Sequence, residues 1–180
     1  QFGCTLIVLA EWKSSIYSGK ELTLVTSNIR RNSPLCLDSK IHHNNLINNI
    51  LAKIEANHAG VDDAIMLDLN GFVAETNATN IFMIKNKIVY TPFPTACLPG
   101  ITRGLIIKLC HKKNIPIIEK DISVTELYNA DEVFTTGTMG ELARVVEIDK
   151  RKIENIGNIL EKLQNIFREL TEKEGERLPL

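Results

Sequence analysis

The stretch from Ala64 to Thr91 constrains more than any other what this chain can fold into. Its apolar runs AIMLDL, FVAE, NIFMI and KIVYT follow one another closely and read as β-strands. Asn70-Gly71 joins the first two, a dipeptide suited to a two-residue hairpin turn because both positions tolerate positive φ. A Lys85-Asn86-Lys87 turn joins the last two as a second hairpin-like pair. Strands joined this way do not make a regular βαβ alternation. The pattern predicts a mixed α/β domain and disfavours a Rossmann arrangement.

The flanking sequence supplies the rest of the order. Thr5–Ala10 (TLIVLA) and Glu21–Thr26 (ELTLVT) are β-rich and read as two paired strands around a polar stretch with Ser18-Gly19. From Lys40 to about Ala59, Leu46, Ile47, Ile50, Leu51 and Ile54 recur at helical spacing, with Gly60 as the C-cap. Pro99-Gly100 introduces a second helix, ITRGLIIKLCHKKN, whose basic end suits the negative pole of its dipole. IPIIEK reads as a short strand, and Ser123–Glu126 has the capping-box pattern of a brief helix. DEVFTTG and LARVVEI are strands, and DKRK is a turn. A last helix is expected from about Ile156 to Glu172, facing inward with Ile159, Leu160, Leu163, Ile166 and Phe167.

At 180 residues and 44% hydrophobic content the chain can bury one good core, so it reads as a single domain, residues 1–180. A net charge of -1 with interspersed acids and bases argues against nucleic acid or a membrane surface as partner. No apolar run reaches transmembrane length, and no signal-peptide pattern opens the sequence. The cysteines at 4, 36, 97 and 110 have no metal-ligand spacing and read as reduced, buried thiols of a cytoplasmic protein. No metal site is expected.

Four places can carry chemistry. Lys40 offers an ammonium whose pKa falls readily on desolvation, as a covalent-link lysine requires. Glu75 sits at the end of an otherwise apolar strand, where a charge is unexpected unless the strand emerges into water there. In Leu98–Gly104 (LPGITRG), a helix start at Ile101-Thr102 offers free N–H groups and a dipole to an anion. In Phe134–Leu142 (FTTGTMGEL), a Thr/Gly-rich turn after a strand can present amides and hydroxyls to an anion. His42 and His43 are helix neighbours that diverge by about a hundred degrees, so they read as structural or rim residues.

These motifs, in this order from Arg30 to Ile153, resemble the class IV (fold type IV) pyridoxal-phosphate aminotransferases. That family includes the branched-chain and D-amino-acid transaminases and aminodeoxychorismate lyase. The resemblance rests on Lys40 with HHNNLINNILAKIEAN after it, on GFVAETNATNIF, on LPGITRG, and on FTTGTMGEL with VVEIDKRKI trailing. It departs where the branched-chain enzymes usually carry a tyrosine and this chain has Asn45, and where Lys150 replaces a turn glycine.

The resemblance implies the family's large domain, a mixed sheet curled into a pseudo-barrel with helices outside. It also implies that the family's small N-terminal domain, the source of a phosphate-binding arginine, is not in this chain. Lys40 would hold pyridoxal 5'-phosphate covalently, and Glu75 would keep its ring nitrogen protonated. Leu98 would pack behind the ring. The Ile101 and Thr102 amides, the Thr102 hydroxyl and Thr138 would take the phosphate, and Thr138 and Met139 would bind the substrate, with the Met139 amide facing its carboxylate. Arg103 is expected to point elsewhere. The implied activity is ping-pong transamination between a branched-chain or similar amino acid and a 2-keto acid, by a homodimer when the protein is full length. The alternatives are a lyase of the same family and an isolated, catalytically incomplete domain.

Overall fold

The computed structural model describes residues 3–11, 16–17 and 19–175. The strand Leu22–Thr26 (β1) is held on both sides by parallel partners, Asp63–Leu67 (β2) and Glu141–Ile148 (β8). Both of its hydrogen-bonding edges are therefore taken. That is why Thr5–Ala10, expected as its partner, is not a strand: it runs irregularly, with Leu6, Ile7, Val8 and Leu9 exposed. Ser18, in the expected intervening turn, lies outside the described residues.

The first helix, Ile47–Ala59 (α1), starts later than expected, and Lys40 lies in a turn ahead of it. Gly60 caps it with φ 71°, as its missing Cβ allows. Its apolar stripe is not the buried side. Ile47, Ile50, Leu51 and Ile54 are exposed, whereas Ala52 and Ala56 pack on Ala64 and Met66 of β2. Small residues let the helix approach the sheet closely. Polar ones then lock it down, with the Glu55 carboxylate accepting from the Ser27 hydroxyl at 2.6 Å and the Asn28 amide at 2.9 Å.

β2 runs antiparallel to Val73–Thr76 (β3). The link is a longer loop than the expected two-residue turn. Asp68 Oδ1 accepts from the amides of Asn70 and Phe72, and of Asn70-Gly71 only the glycine has positive φ. The second hairpin follows the expected form. Asn80–Lys85 (β4) and Ile88–Thr91 (β5) turn through Asn86 and Lys87, both at positive φ. Then come the helix Ile101–Lys112 (α2), the strand Ile117–Glu119 (β6) and the helix Val124–Tyr128 (α3), which has a complete Ser123/Glu126 capping box. The strand Glu132–Gly137 (β7), the short Arg151–Lys152 (β9) and the helix Ile159–Glu174 (α4) complete the order, with β8 between β7 and β9.

The sheet runs β3-β2-β1-β8-β7-β4-β5-β6, with β9 paired to β8. β3 and β4 are five steps apart in that order, yet only Asn77, Ala78 and Thr79 join them. A flat sheet would put them roughly 24 Å apart, whereas the link reaches roughly 15 Å. The sheet must curl, and it forms a half-barrel. One face buries Leu22, Leu24, Ile65, Ile81, Val133 and Val145 with Leu127 of α3. On the other face α2 and α4 cover Phe82 and Phe134, whose rings stack at 4.9 Å across paired strands. Of the thiols expected to be buried, Cys97 and Cys110 are, but Cys4 and Cys36 are exposed.

Candidate active site

Curling the sheet brings the end of β3, the start of β4, the end of β7 and the start of α2 to one edge. Glu75 sits at the end of β3 with 6% of its surface exposed, so the strand does not carry it into water. Its Oε1 lies 2.9 Å from Arg31 Nη2. Its Oε2 has only long contacts, 3.4 Å to Asn80 Nδ2 and 3.4 Å to the Leu98 amide. Burial pushes the Glu75 carboxyl up to about 7, against the pull of the Arg31 guanidinium and the Leu98 amide.

Arg31 is held from several directions. Its Nη1 donates to Asn49 Oδ1 at 2.8 Å and Asn48 Oδ1 at 3.0 Å, and its Nε to the Ala96 carbonyl at 3.3 Å. Asn49 in turn donates to the Asn77 carbonyl at 2.8 Å. Helix α1 is thus tied through one buried guanidinium to β3 and to the loop before α2. Sequence reasoning missed this arginine. It stands in a polar stretch between elements, and its partners Asn48, Asn49 and Ala96 become neighbours only through the fold.

A cavity of about 400 Å³ opens beside this network. Arg31, Glu75, Asn77, Leu98, His43 and Lys53 contribute to its wall. Lys40 lies in the adjoining turn, between the wall residues Ser39 and Ile41; its half-exposed ammonium is 3.9 Å from Asp38 Oδ2. Lys53 Nζ is already placed, on the Asp62 carbonyl and 3.4 Å from Asp63 Oδ1. Ser39 Oγ and His43 Nδ1, both buried, have no hydrogen-bond partner among the described residues.

The α2 start lies next to Glu75 through Asn80, whose Nδ2 donates to the Leu98 carbonyl at 2.8 Å. No side chain caps this helix, so its first N–H groups stay available to an anion. A Cβ on the N-cap Gly100 would lie 2.2 Å from Asn80 Oδ1, so the close approach needs glycine. Ile101 is exposed and Thr102 buried. Arg103 turns away, donating to the Pro92 carbonyl at 2.8 Å and to Glu119 at 2.5 Å. Thr136 pairs with Asn80 across β7 and β4, which sets the exposed turn of Thr138 and Met139 at the same edge of the sheet. The structure thus gathers Glu75 and Leu98 at one cavity. It places Lys40 at that cavity's rim, and Ile101, Thr102, Thr138 and Met139 along the neighbouring edge.

A buried carboxylate thus stands next to an uncapped helix start, with Lys40 at the rim of the same cavity. The family model for amino-transferase class IV matches residues 4–148, and the chain belongs to that family. Branched-chain-amino-acid aminotransferase-like protein 2 of Arabidopsis thaliana is 57% identical over 182 residues, covering 99% of this chain and 33% of that protein. The branched-chain aminotransferase of the archaeon Thermoproteus uzoniensis, solved with norvaline, superposes with a TM-score of 0.86. It is 30% identical, with 93% of this chain and 56% of that one covered. An aminotransferase from Brucella abortus bound to the cofactor PLP gives a TM-score of 0.80 at 29% identity, with 85% and 55% covered. The chain therefore spans about a third of the length of the plant relative and just over half of each solved chain. Among the described residues no helix is long and apolar enough to cross a membrane.

Proposed function

We propose that this chain is the large domain, residues 1–180, of a pyridoxal-phosphate-dependent transaminase acting on branched-chain or similar amino acids and 2-keto acids. The observation that carries the reading is Glu75, a carboxylate buried in the family's own sequence context with one oxygen left to loose contacts. When bound, pyridoxal 5'-phosphate supplies an aldehyde that condenses with amines and a ring that accepts electrons.

Each residue then has a task. Lys40 would hold the cofactor covalently, and its amine would move a proton at the substrate Cα. Glu75 would accept the ring N–H, and Leu98 would pack against the ring. The Ile101 and Thr102 amides, the Thr102 hydroxyl and Thr138 hold the phosphate, and the Met139 amide orients the substrate carboxylate. The unpartnered Ser39 and His43 atoms leave the cavity wall with hydrogen-bonding capacity for a polar ligand. The exposed stripe of α1 supports association as a homodimer in the full-length protein. Free cysteines support a reducing compartment such as the cytoplasm.

The test compares Lys40→Ala with Lys53→Ala. After pyridoxal phosphate is added and the protein reduced with borohydride, peptide mass mapping should find the adduct on Lys40. Lys53→Ala should retain it and Lys40→Ala should lose it, together with any transfer from L-leucine to 2-oxoglutarate. An adduct on Lys53, or turnover surviving in Lys40→Ala, would overturn the assignment.

A further inference from the structure

We propose that Arg31 is a positioning residue: by clamping one oxygen of Glu75 it decides on which side of the bond from Glu75 to the cofactor ring the proton rests. The inference rests on the reading above, in which Glu75 faces that ring.

The geometry is asymmetric. Glu75 Oε1 is engaged by the Arg31 guanidinium at 2.9 Å, whereas Oε2 has two contacts at the 3.4 Å edge of hydrogen bonding. Oε2 is therefore the oxygen left for a new donor. Arg31 cannot follow the carboxylate if it moves, because Asn48, Asn49 and the Ala96 carbonyl hold the guanidinium in place. Both side chains of the pair are 7% exposed, so water does not screen the charge.

Two arrangements compete for one proton. With the proton on the ring, Glu75 is a carboxylate against Arg31. With the proton on Glu75, a neutral acid faces a buried cation. The guanidinium favours the first strongly because it touches the carboxylate. It opposes the charged ring only weakly, since the carboxylate stands between them. The other cations nearby are paired elsewhere, Lys40 with Asp38 among them. Lys53 sits on Asp62 and Asp63, and Arg103 on Glu119. His42 and His43 line the same cavity without an ion pair to Glu75 among the described residues, and burial first, then the charge of Glu75, pushes the Cys97 thiol up to about 12. Arg31 is thus the group ion-paired with Glu75 among the described residues.

The experiment uses pyridoxal phosphate labelled with ¹⁵N in the ring, whose nitrogen shift distinguishes a protonated from an unprotonated pyridine. Wild type and Arg31→Lys, which keeps the charge, should show the protonated shift; Arg31→Met and Arg31→Gln should move toward the unprotonated one. In cofactor-free protein, the ¹³C carboxyl signal of Glu75 should titrate near 7 in wild type. In the neutral variants it should titrate higher by about one pH unit or more. Each variant is first matched to wild type by circular dichroism. If both neutral variants fail to fold, Asn49→Ala, which strips one acceptor from the guanidinium, should produce a smaller change in the same direction. An unchanged ring shift in a folded neutral variant, a loss in Arg31→Lys as complete as in Arg31→Met, or no change in Asn49→Ala would overturn the inference. If wild type takes up no cofactor at all, the functional reading fails instead. The cofactor-free titration then still decides whether Arg31 controls Glu75: an unchanged midpoint in the variants would overturn that control.

Discussion

Glu75 shows how one residue can be legible in outline and opaque in detail. A glutamate closing an apolar strand is anomalous in the sequence, but the sequence leaves open whether the strand ends in water or in a site. Tertiary structure answers by burying the carboxylate and supplying Arg31. This arrangement makes stability depend on pH. An unfolded glutamate releases its proton near 4.5, whereas folded Glu75 keeps it until about 7. Between those values the folded state binds more protons, so this group makes the protein less stable as pH rises. Glu75→Gln should flatten that decline in melting temperature between pH 4.5 and 7. Above pH 7 it should also lower stability, because there Arg31 loses the charged carboxylate that is its buried counter-ion. The same decline in wild type and variant would show that Glu75 is not the titrating group.

Among the elements, α4 has its first turn capped by a side chain distant in sequence. Its N-cap Asn158 makes no side-chain cap bond. The cap comes instead from Glu132 at the start of β7, fully buried, whose Oε1 accepts from the Ile159 amide at 3.0 Å and Oε2 from the Leu160 amide at 3.2 Å. Gly157 is needed beside it, since a Cβ there would lie 2.1 Å from Glu132 Oε1. Glu132→Ala should cost about 2–4 kcal/mol, from two lost charge-assisted bonds and buried N–H groups left unpaired. Glu132→Gln should cost less, and urea denaturation would measure both. A loss below 1 kcal/mol in the Ala variant would mean that α4 is held by its apolar face alone.

The elements also show where periodicity informs and where it misleads. The apolar repeat of α4 buries Leu160, Leu163 and Phe167 as its spacing implies. The repeat of α1 is just as regular, yet it buries Ala52 and Ala56 and leaves the larger residues outside. Periodicity reports that a helix has an apolar side; it does not report what covers that side. The strand expected at Thr5–Ala10 failed for a related reason. Its composition is right, but β1 had no free edge to offer.

On the scale of the whole molecule, the exposed side chains of Ile47, Ile50, Leu51 and Ile54 form a continuous apolar stripe on one helix. Water-exposed stripes of this kind drive association. Sedimentation velocity should show this chain self-associating as its concentration rises. Ile47→Glu with Ile54→Glu should keep it monomeric with unchanged circular dichroism. A monomer at all concentrations in the unsubstituted chain would remove this support for a dimer.

The sequence by itself determined the order of most elements, the Asn86-Lys87 hairpin, the capping box of α3 and the family. Each of these depends on residues close together in the chain, or on motifs that local geometry preserves. Only the tertiary structure decided that the sheet curls, that α1 turns its alanines inward, and that Arg31 meets Glu75. These outcomes depend on which edges and faces remain free once distant segments have paired. The short Asn77–Thr79 link between strands five steps apart is where the two levels meet. Its length is written in the sequence, but it forces curvature only because β2, β1, β8 and β7 lie between its ends.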